Sequence, residues 1–480
     1  MNDRKGFGSN FGFLMAAVGS AVGLGNIWGF PNKMGANGGF PFLILYLALA
    51  LCCGVIIMLG ELALGRKTGH GAVGAYQSIS KRFKWLGWLG IAAAALIFSF
   101  YSALGGYCLR YVVVNFGNLI GAEFGTNGVG GSDVFQTLLS QPDVSIAFAL
   151  AFMLITMLVV MGGVGGGIER VCSVGMPALF FILIICIIRS CTLPGAADGL
   201  KYMFVPGWAV ANGIIDEAPG FWRVLTAAGG QMFFSLSLGA GVMITYGSYL
   251  DKKQDLGKST MIIVGMDTVV ALMAGLCVIP GRFALDPNGA LGGPELLFIT
   301  MQNVFDKMGP AGPVFGILFY LLVFFAAISS SISLLEVIVA HFCDKAREKG
   351  KGDRRKLYSA IVVVICAALC ALVCADGMGS NHISPAELLG LAGAKLPGWS
   401  TSWLGLFDSV AEGLLMPLGA LLMCLMISWE LKPDALRQEI LLNGENRPWV
   451  YDFFRLCVKY ITPLCMLMIL YGQISDFFIV

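Results

Sequence analysis

Apolar runs of about 20 residues recur along the whole chain, each long enough to cross the hydrocarbon of a bilayer as a helix. Eleven are legible, at approximately 10–34, 40–65, 86–117, 145–163, 168–188, 221–249, 258–281, 312–343, 357–375, 402–430 and 451–473. Within a bilayer every backbone polar group must be paired inside the protein. The fold class that follows is an all-α membrane protein occupying the lipid bilayer. Composition agrees: 57% of residues are hydrophobic and 12% are charged, roughly half the charge of a soluble domain. The net charge of +2 and the absence of a basic groove or base-stacking pattern give nothing for nucleic acid to bind. The first run is too long for a cleaved leader, and it contains Asn26 and Pro31. The 14 Cys lie mostly inside apolar runs. Cys366, Cys370 and Cys374 share a helix face and read as small packing residues. The three His (His70, His341 and His382) sit near segment ends, which speaks against a His metal site.

Orientation follows from Lys and Arg in the short loops. The loop after the second run carries Arg66, Lys67, Lys81, Arg82 and Lys84. The loop after the eighth carries Lys345, Arg347, Lys349, Lys351, Arg354, Arg355 and Lys356. Residues 118–144, between the third and fourth, carry neither Lys nor Arg. This places the N-terminus in the cytoplasm and, with an odd number of spans, the C-terminus outside. Residues 195–220 are too polar to span and read as an external loop with short interfacial helices. Residues 284–308 read similarly, with a short helix bounded by Pro294 and Gly309-Pro310.

Two runs are interrupted. Residues 19–31 read Gly-Ser-Ala-Val-Gly-Leu-Gly-Asn-Ile-Trp-Gly-Phe-Pro, and glycine is a poor helix former. An unwound stretch at membrane depth survives only where something satisfies its backbone. Its carbonyls can ligate a cation, and the N–H groups that open the next half-helix can hold an anion. A glycine-rich helix that merely packs closely is the bland alternative. The second interruption weighs against it: Ser235, Ser237, Gly239 and Gly241 fall within 231–249. Two broken helices five spans apart, running in opposite directions, point to an inverted-repeat transporter with its site at the midplane.

Other polar groups belong to the same depth. Asp267 lies ten residues into the seventh run, where a carboxylate is costly and marks function by default. Ser329, Ser330, Ser331 and Ser333 cluster in the eighth, and hydroxyls with backbone carbonyls suit a hard monovalent cation. Glu61 and Glu336 read as structural supports, Glu61 for the loose backbone of the sixth span. The hydroxyl of Tyr101 needs a partner in mid-span, and an anionic group at the first break would serve.

The chain resembles the neurotransmitter:sodium symporters, the group with the LeuT-type fold, over nearly its whole length. The resemblance rests on Gly-x-Ala-Val-Gly-Leu-Gly-Asn-x-Trp-x-Phe-Pro at 19–31, Glu-x-x-x-Gly-Arg at 61–66, Gln-x-Phe-Phe-Ser-Leu-Ser-Leu-Gly at 231–239 and Ser-Ser-Ser-Ile-Ser at 329–333. Many bacterial members also have eleven spans. It implies one transmembrane domain built as a 5+5 inverted repeat (10–188 and 221–430) with an extra helix at 451–473, and with helices 1 and 6 unwound. It also implies ligand sets. A first sodium would meet the carbonyl of Ala21, Asn26, Ser235, Asp267 and the substrate carboxylate. A second would meet the carbonyls of Gly19, Val22 and Ala326 with Ser329 and Ser330. The substrate would lie among Ala21, Gly23, Gly25, Ile97, Tyr101, Phe234, Ser235, Ser237, Ala240, Ser330 and Leu334, under a lid of Tyr101 and Phe234. Phe100 would also line the side-chain pocket. Arg4 and Asp344 would pair in a cytoplasmic gate, with Phe7 and Tyr249 beside them.

Three departures stand out. Gly29 occupies the position of the family's outer-gate Arg, and that Arg's Asp partner aligns near Ala411. Phe7 stands where the family has a gating Trp. Outer closure would then rest on Tyr101, Phe234 and helix packing, with Glu412 as one further candidate. Asp267 falls on a position usually Asn, and the usual chloride-binding hydroxyl aligns with Ala271. The resemblance thus implies a sodium-coupled amino-acid symporter of the inner cell membrane, a monomer or weak homodimer, using two Na+ and no chloride. The small Ala240 favours a medium or large apolar substrate. A sodium-gated channel or sensor on the same fold is the alternative. No Ser–His or paired-Asp arrangement supports an enzyme.

Overall fold

The structure, a computed structural model, describes residues 6–126, 128–290, 293–352, 354–390, 398–431, 433–441 and 448–478. Among these every regular element is helical. Nine helices are long and apolar enough to cross a membrane: Phe40–Thr68, Leu86–Ile120, Pro142–Met161, Val164–Cys191, Leu256–Leu285, Gly309–Glu348, Arg355–Gly379, Trp403–Leu431 and Trp449–Ser475. Asn10–Ala21 and Gly25–Ala36 form a further pair, bent by 43° at a short break. The sixth run becomes Phe221–Ser235 and Val242–Gly247, each half too short to cross alone at about 1.5 Å rise per residue. The spans are numbered below as in the sequence, with these two broken pairs as the first and sixth.

Local chemistry sets the ends. Ser9 caps the first helix by accepting from the Gly12 N–H at 2.9 Å, and Asp255 caps the seventh span by accepting from the Lys258 N–H at 3.0 Å. Gly69 and Gly121 close the second and third spans in the left-handed conformation. The polar stretch 195–220 folds into the short helices Ala196–Phe204 and Trp208–Ala211. Helical residues also run from Leu296 to Lys307 after Pro294. Short helices that were not expected include Ala72–Ile79 and Gly131–Leu139; neither has the length or the unbroken apolarity of a span.

Burial sorts the spans. The apolar window of the third is 78% buried inside the protein and that of the fifth only 28%. The third packs most extensively on the eighth, and the first packs on the seventh, eighth and fifth. The broken first and sixth helices are therefore enclosed by other helices, where irregular backbone can find partners. Cys366, Cys370 and Cys374 are buried in the ninth span as free thiols.

Candidate substrate and ion site

The first break begins at Val22, whose ψ of 93° leaves the helix. The backbone resumes as a wide π turn over Gly25–Gly29. Asn26 bridges the gap with its own side chain, its Oδ1 accepting from the Gly23 N–H at 3.1 Å. In the sixth span the helix stops at Ser235, and Ser237, Gly239 and Gly241 all take positive φ, 52°, 78° and 75°. Glycine adopts that region freely, but a serine is strained there. Ser237 uses the bend to donate from Oγ to the Ser20 carbonyl at 3.1 Å, which ties the two breaks together. Glu61 accepts from the Gly239 N–H at 2.7 Å, so the expected support of the loose backbone is in place.

Between the breaks lies a cavity with about 330 Å³ of atom-free space. Ten of the eleven residues expected around a substrate line it: Ala21, Gly23, Gly25, Ile97, Tyr101, Phe234, Ser237, Ala240, Ser330 and Leu334. The eleventh, Ser235, turns away to Asp267. Phe100 is buried but does not line the cavity. Met416, absent from the expected set, does. The Tyr101 hydroxyl accepts from the Leu24 N–H at 2.8 Å, and its ring lies 6.4 Å from that of Phe234. A Cβ at Gly23 would fall 2.1 Å from Ser330 Oγ and 2.5 Å from the Tyr101 hydroxyl. Only glycine leaves this point open.

Oxygens gather on one side of the cavity where the first span meets the eighth. Ser329 Oγ lies 3.0 Å from the Ala326 carbonyl and 3.4 Å from that of Val22. Ser330 Oγ lies 3.4 Å from the Gly19 carbonyl and 3.1 Å from that of Ser20. Such spacings are close to the edge length of an oxygen shell around a hard cation at ~2.4 Å. All five expected members of the second ion set are thus neighbours, and the Ser20 carbonyl joins them.

A second polar cluster surrounds Asp267, which is fully buried. Asn26 Nδ2 donates to its Oδ1 at 2.7 Å and to its backbone carbonyl at 2.9 Å. Ser235 Oγ donates to both carboxylate oxygens, at 3.0 and 2.9 Å. Tyr46 adds a hydroxyl at 3.2 Å, a partner the sequence did not reveal. Asn26, Ser235 and Asp267 of the first ion set therefore converge, and Ala21 is nearby at the cavity wall. Gln231 Nε2 donates to the Gly25 carbonyl at 2.6 Å, holding the sixth span against the first break.

Both ends of the pathway carry further contacts. Toward one end, Phe7 packs edge-on against Tyr246 and Tyr249 at 5.7 and 6.2 Å. Tyr249 donates to Glu336 at 2.7 Å, and Glu336 pairs with Arg355. Asp344 accepts from the Gly71 N–H at 3.2 Å; Arg4, its expected partner, lies outside the described residues. Glu169 of the fifth span, unremarkable in sequence, accepts from the Gly8 N–H at 2.7 Å and from Ser9 Oγ at 2.9 Å.

At the other end Gly29 and Ala411 are uncharged, as read. One turn beyond Gly29, however, Lys33 forms an ion pair with Glu412 of the tenth span. Both border a vestibule of about 690 Å³ with Asn37, Arg223, Asp408 and Gln473. Glu412 was the further candidate beside Tyr101, Phe234 and packing, and its partner Lys33 was not foreseen: a charged link joins the same two spans, displaced from Gly29 and Ala411. Sequence position alone could not pair a lysine with a carboxylate 379 residues away.

Comparison with known proteins fits this geometry. The model of the sodium:neurotransmitter symporter family matches residues 4–127 and 133–478. The chain is 36% identical over 479 residues to an uncharacterized sodium-dependent transporter of Bacillus subtilis, YhdH, covering 97% of each. It is 29% identical to another of Methanocaldococcus jannaschii, covering 91% of this chain and 84% of that one. Its fold is similar to the crystal structure of MhsT in complex with L-phenylalanine. The TM-score is 0.83 at 33% identity, over 98% of this chain and 100% of that one.

Proposed function

Because this chain belongs to the sodium:neurotransmitter symporter family, a family of transporters and not of enzymes, we propose that it carries an amino acid into the cell on the sodium gradient by alternating access. One observation carries the reading: a cavity between two broken helices, flanked by two oxygen clusters. The chain works as eleven spans in a 5+5 inverted repeat (10–188 and 221–430, with 451–473 added) in the inner cell membrane. Its N-terminus is cytoplasmic and its C-terminus outside.

The substrate carboxylate sits at the N–H groups around Gly25, which open a half-helix and favour an anion. The Tyr101 hydroxyl already reaches this break at Leu24 and keeps its own proton to donate. The ammonium meets the carbonyls of Ala21, Phe234 and Ser235. One sodium binds Asn26, Ser235, Asp267, the Ala21 carbonyl and the substrate carboxylate; the other binds Gly19, Val22, Ala326, Ser329 and Ser330. Because the substrate completes the first shell, coupling is reciprocal: each ligand raises the other's affinity by the same factor. Phe7, Tyr249, Asp344 and Arg4 form the inner gate.

Transport is chloride-independent in this reading. Asp267 brings a negative charge beside the first ion, where the low effective dielectric makes one charge matter. The two hydroxyls nearest the carboxylate, of Tyr46 and Ser235, already donate to it, and Ala271 offers no side-chain donor. MhsT was crystallised with L-phenylalanine, and the small Ala240 agrees with a medium or large apolar, or aromatic, substrate here. Uptake into proteoliposomes under sodium, potassium or choline, competed by each amino acid in turn, tests the reading. Equal uptake in all three cations would refute it.

A further inference from the structure

Resting on that reading and deepening it, we infer that Met416 of the tenth span forms the far wall of the substrate side-chain subsite and sets its size preference. The cavity has a polar end at Gly23, Gly25, Tyr101 and Ser330, and an apolar end at Ile97, Phe234, Ala240, Leu334 and Met416. Met416 is the one lining residue from outside the first, third, sixth and eighth spans.

The backbone explains how the tenth span reaches in. Its residues Ser409–Leu415 form a π turn, and the α-helix restarts at Met416, with Pro417 directly after it. Such wide turns rotate the following residues relative to a regular helix and are frequent at functional sites. The non-helical part of the sixth span lies directly against this restart. A Cβ at Gly239 would fall 2.2 Å from the Met416 carbonyl, and one at Gly419 would fall 3.0 Å from that of Gly239. Ala240 follows Gly239 and brings only a methyl group, so between the cavity and the tenth span nothing bulkier intervenes at that position. Met416 is itself 1% exposed, so its side chain is fully enclosed.

A methionine wall has a defined chemistry. Three rotatable bonds let it refit around occupants of different shape, and its sulfur makes favourable contacts with the edges of aromatic rings. The subsite therefore takes aromatic and long unbranched apolar side chains, and rejects glycine and alanine, which would leave the wall without contact.

The test uses the full chain in proteoliposomes. Sodium-driven L-phenylalanine uptake is competed by glycine, alanine, leucine and tryptophan, and half-saturating sodium is measured in parallel. Met416→Ala should move the tryptophan-to-leucine preference about tenfold toward tryptophan, the scale of adding or removing a few methylene-sized groups in an apolar pocket, with half-saturating sodium unchanged. Ala240→Phe should shift preference toward smaller side chains. It should also screen Met416, so that Met416→Ala in that background changes the ranking less than twofold, a coupling that a double-mutant cycle detects. An unchanged ranking in Met416→Ala, or the same shift in both backgrounds, would overturn the assignment while leaving sodium-coupled transport intact. Absence of sodium-driven uptake of any amino acid by the unmodified protein would overturn both. Should Met416→Ala not fold, Met416→Leu and Met416→Ile replace it: rankings identical to the unmodified protein's would again overturn it, and a shift of ranking with branching would support it.

Discussion

Gly23 shows how much one missing methyl group can matter. With Ser330 Oγ and the Tyr101 hydroxyl both within 2.5 Å of where its Cβ would stand, Gly23→Ala closes the cavity from inside. Overpacking of this kind also costs about 1–3 kcal/mol of stability. Uptake at saturating sodium should fall at least tenfold, and near-normal uptake would mean that the cavity is not the substrate site. Ser329 supplies one hydroxyl between two carbonyls, those of Val22 and Ala326. Ser329→Ala should raise the sodium needed for half-maximal uptake strongly; an unchanged requirement removes it from the ion shell. Asp267→Asn removes the charge on which the proposed first ion site relies and should abolish most uptake, whereas exchanging chloride for gluconate should leave the unmodified protein unaffected. Loss of uptake in gluconate contradicts the role given to Asp267. These residues were legible in the sequence because a carboxylate, an amide or a serine cluster inside an apolar run is anomalous on energetic grounds. Met416 and Tyr46 were not, since a methionine or tyrosine in such a run is what ordinary packing would place there.

At the scale of elements, the break in the sixth span is written in residue type, because φ of 78° at Gly239 and 75° at Gly241 is a backbone requirement that glycine meets freely. In the first span the helix departs at Val22, and there the glycines mark the break only as poor helix formers. The π turns at Gly25–Gly29 and Ser409–Leu415 leave no comparable trace, and they decide which way Asn26, Glu412 and Met416 face. Pairings between distant elements were equally hidden. Glu169 holds Gly8 and Ser9, and Lys33 meets Glu412 across the vestibule. Partly buried, this pair differs from an exposed one, and breaking it leaves a charge without its partner, on the order of 1–3 kcal/mol. Lys33→Gln and Glu412→Gln should each slow uptake several-fold, and the double variant should be less impaired than the two effects added together. Strictly additive effects on initial rates would show that the two do not act as a unit. Gly29→Arg should impair transport as well: its Cβ would already lie 2.9 Å from Gln231 Oε1, and it adds a second cation without a new carboxylate. Normal kinetics in that variant would show that position 29 stays open to water throughout the cycle.

For the molecule as a whole, the broken helices, the cavity and both oxygen clusters lie together, and separate sets of cross-links lie beyond them. Phe7, Tyr249, Glu336 and Arg355 sit at one end, and Lys33 and Glu412 at the other. Alternating access requires that these two sets open in turn around a fixed site. A ligand can drive such an exchange only through different affinity for the two states; in the proposed reading sodium and substrate act jointly, because the substrate carboxylate joins Asn26, Ser235 and Asp267 around the first ion. The most direct test is accumulation against a gradient. Purified protein in proteoliposomes, given labelled L-phenylalanine and an inward sodium gradient, should raise internal substrate transiently above its external level, and a sodium ionophore should abolish that excess. Uptake that never exceeds equilibrium for any amino acid, or that is the same with potassium in place of sodium, would contradict the account.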